Sequence, residues 1–279
     1  MSRPFRLAVC NEVFEKRDFA ESCRLARRAG WTGIELAPFT LAENATMLSA
    51  GERRRLREVM AGEGVDFVGL HWLLVGPPGL HVTTPDPAVR QKSWDYVAGL
   101  IDLCADLGPH GVMVFGSPKQ RASSGGLSPA EATRHFVEGV AGVAPRAVER
   151  GVTICLEPLS AAQCDVLLSL AEAAALVEEI GSPAVRTMYD SHNAVDEIEP
   201  HEALVDRYFD RLRHVHVNEM DGTHPRPGGG HDFRPVLETL KRRGYGGWIS
   251  MEVFDFAPGA EKILSEAGEY LRSQIDGLP

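Results

Sequence analysis

Four polar residues in the second half of the chain have the chemistry of a metal site: Glu157, Asp190, His216 and Glu252. Glu157, Asp190 and Glu252 directly follow the short apolar runs Val152–Leu156, Ala184–Tyr189 and Gly247–Met251, and His216 lies near the polar end of Arg213–Val217. Side chains alternate faces along an extended strand, so in Arg213-His214-Val215-His216-Val217-Asn218-Glu219 the two imidazoles share one face and the valines the other. Either histidine alone could be a core residue bonded to backbone. Three carboxylates gathered in one apolar-walled space would repel one another and be costly to desolvate without a cation. With one neutral imidazole they form a mixed oxygen and nitrogen set suited to a single divalent ion, with Mn²⁺ placed first and Mg²⁺, Co²⁺ or Zn²⁺ as alternatives.

Such residues meet only if the elements carrying them converge. The chain repeats one pattern eight times: an apolar run, a polar tip, a helix-start signal, an amphipathic segment, then glycine, at roughly the 30-residue spacing of a βα unit. The runs open at Arg6, Thr32, Phe67, Gly111, Val152, Ala184, Arg213 and Gly247. Helix starts are expected at Asp18 with Glu21, Ser49 with Glu52, Asp86-Pro87, Ser128-Pro129 with Glu131, Ser169 with Glu172, Pro200 and Asp232, with a last helix over Gly259–Ile275. Gly62 and Gly64 are expected to stop the second helix. Eight strands alternating with eight helices, without a composition break, predict an α/β fold: one (β/α)₈ TIM barrel domain over residues 1–279. An open doubly wound sheet is the alternative, but no G-x-G-x-x-G follows the first run and no Walker loop is present. In a closed barrel the C-terminal strand ends share one mouth, which brings the four residues together.

The formal net charge of −10 argues against a nucleic-acid surface or an anionic membrane, and no apolar run approaches a membrane span. Five scattered cysteines without a C-x-x-C pair support neither a disulfide framework nor a zinc finger and fit a reduced, cytoplasmic setting. A homo-oligomer is left open.

As a set, Leu156-Glu157-Pro158, Tyr189-Asp190-Ser191-His192, His214-Val215-His216-Val217-Asn218-Glu219, Gly230-His231-Asp232-Phe233 and Gly244–Glu252 resemble the xylose isomerase-like barrel superfamily of sugar isomerases and epimerases, which includes ketose 3-epimerases, hydroxypyruvate isomerases and inosose dehydratases. The resemblance implies Glu157, Asp190, His216 and Glu252 as metal ligands, and Glu157 and Glu252 as the catalytic acid/base pair on the two faces of a metal-chelated ketose. A small polyhydroxy carbonyl substrate, free or phosphorylated, would be deprotonated beside its carbonyl to an enediolate, and the position of proton return would decide between isomerisation and epimerisation. Loss of a β-hydroxyl would instead give dehydratase or lyase chemistry on a keto-sugar or keto-glycoside. Members of the epimerase branch often carry D-x-x-H after the sixth strand and an arginine six residues beyond the strand-seven ligand; here Asp190-Ser191-His192 and Gly222 stand in those places, and Gln163 stands near a position commonly occupied by glutamate. His192 is carried over as a substrate contact.

Further substrate-binding candidates are His71 at the third tip, Glu219 and His231 in the loop after the seventh run, and Lys119, which with Gln120, Arg121 and the Ser123–Gly126 amides forms a cationic, glycine-rich segment suited to an anion or to a mobile lid. Trp72 and Phe256 are candidates to wall the mouth. Apurinic-site endonucleases share the barrel, but need more metal ligands and a basic DNA face. A non-catalytic binding barrel would leave the four-residue set idle.

Overall fold

The computed structural model describes residues 4–279 and shows a closed barrel of parallel strands in the order β1 to β8, each followed by a helix. The strands are β1 (Arg6–Cys10), β2 (Gly33–Leu36), β3 (Asp66–Leu70), β4 (Val112–Phe115), β5 (Thr153–Leu156), β6 (Val185–Asp190), β7 (Leu212–Val217) and β8 (Trp248–Met251). The main helices are α1 (Phe19–Arg28), α2 (Ala50–Glu63), α3 (Pro87–Leu107), α4 (Pro129–Arg150), α5 (Leu170–Ile180), α6 (His201–Tyr208), α7 (Arg234–Arg242) and α8 (Ala260–Asp276).

Local chemistry explains most of the helix boundaries. Ser49 with Glu52 and Ser128 with Glu131 form reciprocal capping boxes, Asp86 accepts from the amides of Ala88 and Val89, and Ser169 accepts from Glu172 N. Gly64, Gly151 and Gly181 end their helices in the left-handed region, where a Cβ would be strained. Three expected details differ. Gly62 lies inside α2, one turn of propensity cost being tolerated before the true cap at Gly64. Asp18 caps α1 alone, because Glu21 turns to Arg17 at 3.4 Å instead of reaching back. The helix expected from Asp232 starts at Arg234; Asp232 accepts from Arg234 N in the turn before it.

Period-two alternation sorts the strand residues. One face packs the outer helices through a continuous core including Val9, Ile34, Leu70, Met113, Phe115, Ile154, Val215 and Ile249. The other face fills the barrel. Its lower layer is an apolar plug of Ala8, Val68, Val112, Val114, Cys155 and Met188, with Trp248 packed against it. A Cβ at Gly33 would come within 2.7 Å of both Trp248 and Val68, so that position has no room for a side chain. Two residues further along the inward face, the plug gives way to Cys10, Glu35, Glu157, Asp190, His216 and Glu252, all buried. The pairing of Asp190 with His216 and of His216 with Ser250 fixes the heights of the ligand candidates relative to one another.

Candidate metal centre and active site

Glu157, Asp190, His216 and Glu252 each offer one ligand atom, and the four atoms lie within 4.8 Å of one another. All four residues are at most 5% exposed. Asp190 Oδ1 accepts from Asn193 N at 2.8 Å, while Asp190 Oδ2 is buried without a hydrogen-bond partner and 3.6 Å from His216 Nδ1. His216 Nδ1 is also 3.3 Å from Glu252 Oε2. Crowded carboxylates with an orphaned oxygen, facing one imidazole, could hold a divalent cation. Burial, with Glu252 and Asp190 as neighbours, pushes the Glu157 carboxyl up to about 8.

Glu35 buttresses His216, the imidazole among the four ligand candidates. Fully buried on β2, it contacts His216 Nε2 through Oε1 at 3.1 Å and His214 Nε2 through Oε2 at 2.8 Å. Burial would raise its pKa, yet His214 and His216 hold it well below the usual carboxylate range. Burial would lower the His216 pKa, yet Glu35 holds it well above the usual imidazole range, so Nε2–H donates to Glu35 and Nδ1 is the nitrogen that faces Asp190 and Glu252. Glu35 is not among the sequence-predicted site residues; its signal is a carboxylate interrupting the apolar run Ile34-Glu35-Leu36.

The two glutamates are each held through one oxygen. Trp72 Nε1 donates to Glu252 Oε1 at 2.8 Å, and Asn193 Nδ2 donates to Glu157 Oε1 at 3.0 Å. The other oxygen of Glu157 lies against Gly116, where a Cβ would approach it to 2.1 Å. A narrow cavity above the cluster is walled by His71, Trp72, Leu159, Asn193 and Phe254, with Gln163 at its edge. A larger concavity of about 560 Å³ opens among Arg6, Arg57, Arg213 and Trp248, away from the ligand cluster.

The remaining predicted residues are distributed unevenly. His71 lines the cavity, with Nε2 2.6 Å from Glu12 Oε2. His192 does not line it: its Nδ1 bonds the Met220 carbonyl at 2.8 Å and its ring packs on Phe254, while Asn193, one residue on, turns inward. Glu219 is 2% exposed and spent on its own loop, accepting from His231 N at 2.9 Å and Arg226 N at 3.4 Å. The His231 ring stacks beside His201 and Phe233, and burial with the nearby His201 lowers its pKa to about 4. Lys119 is exposed on a helical turn, Pro118–Arg121, and is absent from the cavity wall. That turn corrects the picture of a mobile cationic lid. Arg121 is fully buried, its Nη1 donating to the carbonyls of Phe115 at 2.7 Å and Glu157 at 2.8 Å, and Ser123 N is taken by Asp165 Oδ1 at 2.8 Å. Phe256 is only packed against the core, and Phe254 takes the mouth position with Trp72.

Known proteins share this architecture. The chain is 24% identical to the fructoselysine 3-epimerase of Shigella flexneri over 235 residues, covering 82% of this chain and 83% of that one. It is 28% identical to the ketose 3-epimerase of Arthrobacter globiformis over 196 residues, 66% and 64% of the two chains. The structure of a D-psicose 3-epimerase with D-tagatose from Clostridium cellulolyticum H10 superimposes with a TM-score of 0.84 at 20% identity, covering 97% of this chain and 98% of that one. A family model described as the xylose isomerase-like TIM barrel matches residues 23–274, the span from within α1 to within α8 that carries every ligand candidate, and the chain belongs to that family.

Proposed function

We propose that this protein is a divalent-metal-dependent sugar epimerase or isomerase, with Glu157, Asp190, His216 and Glu252 as ligands and Glu157 and Glu252 as the acid/base pair. The observation that carries the reading is the convergence of those four buried groups to within 4.8 Å at the ends of β5 to β8. The sugar epimerases among its relatives favour the same class. When bound, a divalent ion there would supply Lewis-acid polarisation of a carbonyl and its neighbouring hydroxyl.

The chain's own groups do the rest. His71, Trp72 and Phe254 wall the cavity and limit water around a bound sugar. Trp72 and Asn193 orient Glu252 and Glu157 through neutral N–H donors, which fix a carboxylate without adding a competing acid. A carbon acid between the two glutamates would lose its proton to one and regain a proton from the other, which inverts the centre or moves the carbonyl. Cytoplasmic residence is consistent with five free, buried cysteines.

The test is divalent metal content by plasma mass spectrometry for wild type, His216→Ala and Glu252→Ala, followed by carbon-bound proton exchange of ketoses in deuterated water. Near-stoichiometric metal in the wild type, lost in both variants, together with exchange in the wild type, is the expected result. A folded wild type that stays metal-free after incubation with Mn²⁺, Co²⁺, Mg²⁺ and Zn²⁺ would rule out the mechanism.

A further inference from the structure

Resting on that reading, we propose that the substrate is uncharged: an unphosphorylated polyhydroxy carbonyl compound rather than a sugar phosphate. The charge around the mouth carries this. On the eight loops that follow the strands, carboxylates outnumber Lys and Arg by about three to one, so the cleft repels rather than focuses an anion. One divalent cation would not reverse that balance.

The cations on those loops are few and committed or remote among the described residues. Arg17 pairs with Glu21 and Glu261. Arg121 is buried against the carbonyls of Phe115 and Glu157. Arg226 donates to the Thr223 hydroxyl and to the His224 carbonyl within its own loop. Lys16 and Lys119 are exposed, and no Lys or Arg lines the cavity over the ligand cluster.

At the N-termini of the main helices, the other common phosphate cradle, the amides already face capping or acidic side chains. Asp18, Ser49, Asp86, Ser128 and Ser169 cap the N-termini of α1 to α5 with their own side chains. Asp232 takes the first amide of α7, and α6 and α8 carry Glu202 and Glu261 in their first turns, where negative charge would oppose a second anion. The turn that starts the 193–196 segment gives its amide to Asp190. Apart from Glu157, Glu252 and His71, whose Nε2 is committed to Glu12 Oε2 at 2.6 Å, what the wall offers is neutral: the indole of Trp72, the amides of Asn193 and Gln163, and the rings of Trp72 and Phe254, which meet edge to face at 6.2 Å between centroids. Hydroxyls and the C–H faces of a sugar suit such groups.

The test compares D-fructose with D-fructose 6-phosphate and D-tagatose with D-tagatose 6-phosphate on the Mn²⁺-loaded protein, by proton exchange in deuterated water and by calorimetric binding. The free sugars should exceed their esters by at least about 100-fold in kcat/KM, and added salt should narrow the gap by screening the repulsion. A phosphate ester that exchanges as fast as its parent, or binds more tightly, overturns the inference and leaves the enolisation reading standing. Binding of the free sugars in preference to the esters without any exchange supports the inference and counts against enolisation. Silence with all four compounds in both measurements overturns both.

Discussion

At the scale of single residues the site is a set of donors held by neighbours that are not donors themselves. Glu35 has the clearest role, because its two oxygens serve His216 and His214 at once. A glutamine there offers one acceptor and one donor, so one imidazole would face an N–H and the His216 tautomer would no longer be fixed. Glu35→Gln should weaken metal binding by about 10- to 100-fold, as outer-sphere partners of metal-bound histidines typically do. Competition with a fluorescent chelator measures this; unchanged affinity would remove Glu35 from the site. His192 and Asn193 show how closely such roles depend on one backbone step. The histidine has the more suggestive chemistry, but the turn after β6 sends it to the Met220 carbonyl and gives the cavity to the amide.

At the scale of elements, the barrel depends on helices seated closely around the strands, and α3 against α4 is the tightest case. A Cβ at Gly139 on α4 would fall 1.8 Å from Trp94 on α3, and Trp94 in turn packs on Phe115 and Phe136. Gly139→Ala therefore gains helix propensity but cannot be seated without shifting the indole. Overpacking should win, lowering stability by about 1–3 kcal/mol in urea titrations. Metal content should stay unchanged, since the contact lies outside the barrel; a stabilised variant would show that the two helices have slack. The segment after β4 makes a related point. It reads as a mobile basic loop, but Arg121 is drawn inward to donate to the carbonyls of Phe115, which also accepts from Glu157 N at 3.4 Å, and of Glu157. Arg121 therefore ties the fourth and fifth βα junctions together.

For the whole molecule, closing the sheet concentrates acidic groups at one end, whose mutual repulsion a cation would offset under the proposed function. Metal bound only by the folded state should stabilise it by about 2.7 kcal/mol at a free concentration 100 times Kd. Thermal unfolding followed with and without Mn²⁺ should thus show a concentration-dependent rise in Tm that EDTA reverses and that His216→Ala lacks. A Tm indifferent to every divalent ion would argue that the cluster is not a metal site.

The repeating unit, most helix starts and the four ligand candidates are legible in the sequence alone. Those features are local: a capping box spans four residues, and a strand's inward face follows from period two, so Ser49 and Ser128 announce their caps, and His216 and Glu157 their inward positions, within short windows. Only the tertiary structure decided which other polar groups face the cluster. Glu35 meets His216 across 181 residues of chain and Trp72 meets Glu252 across 180, contacts that exist only because the barrel closes β1 onto β8 and brings β2 and β3 to the same mouth. Glu219 and Arg121 went the other way, from candidate binding groups to structural ones, because buried backbone N–H and carbonyl groups must be paired and these side chains were the partners within reach. Hydrogen-bond satisfaction is settled over the whole fold, and no local pattern encodes its outcome.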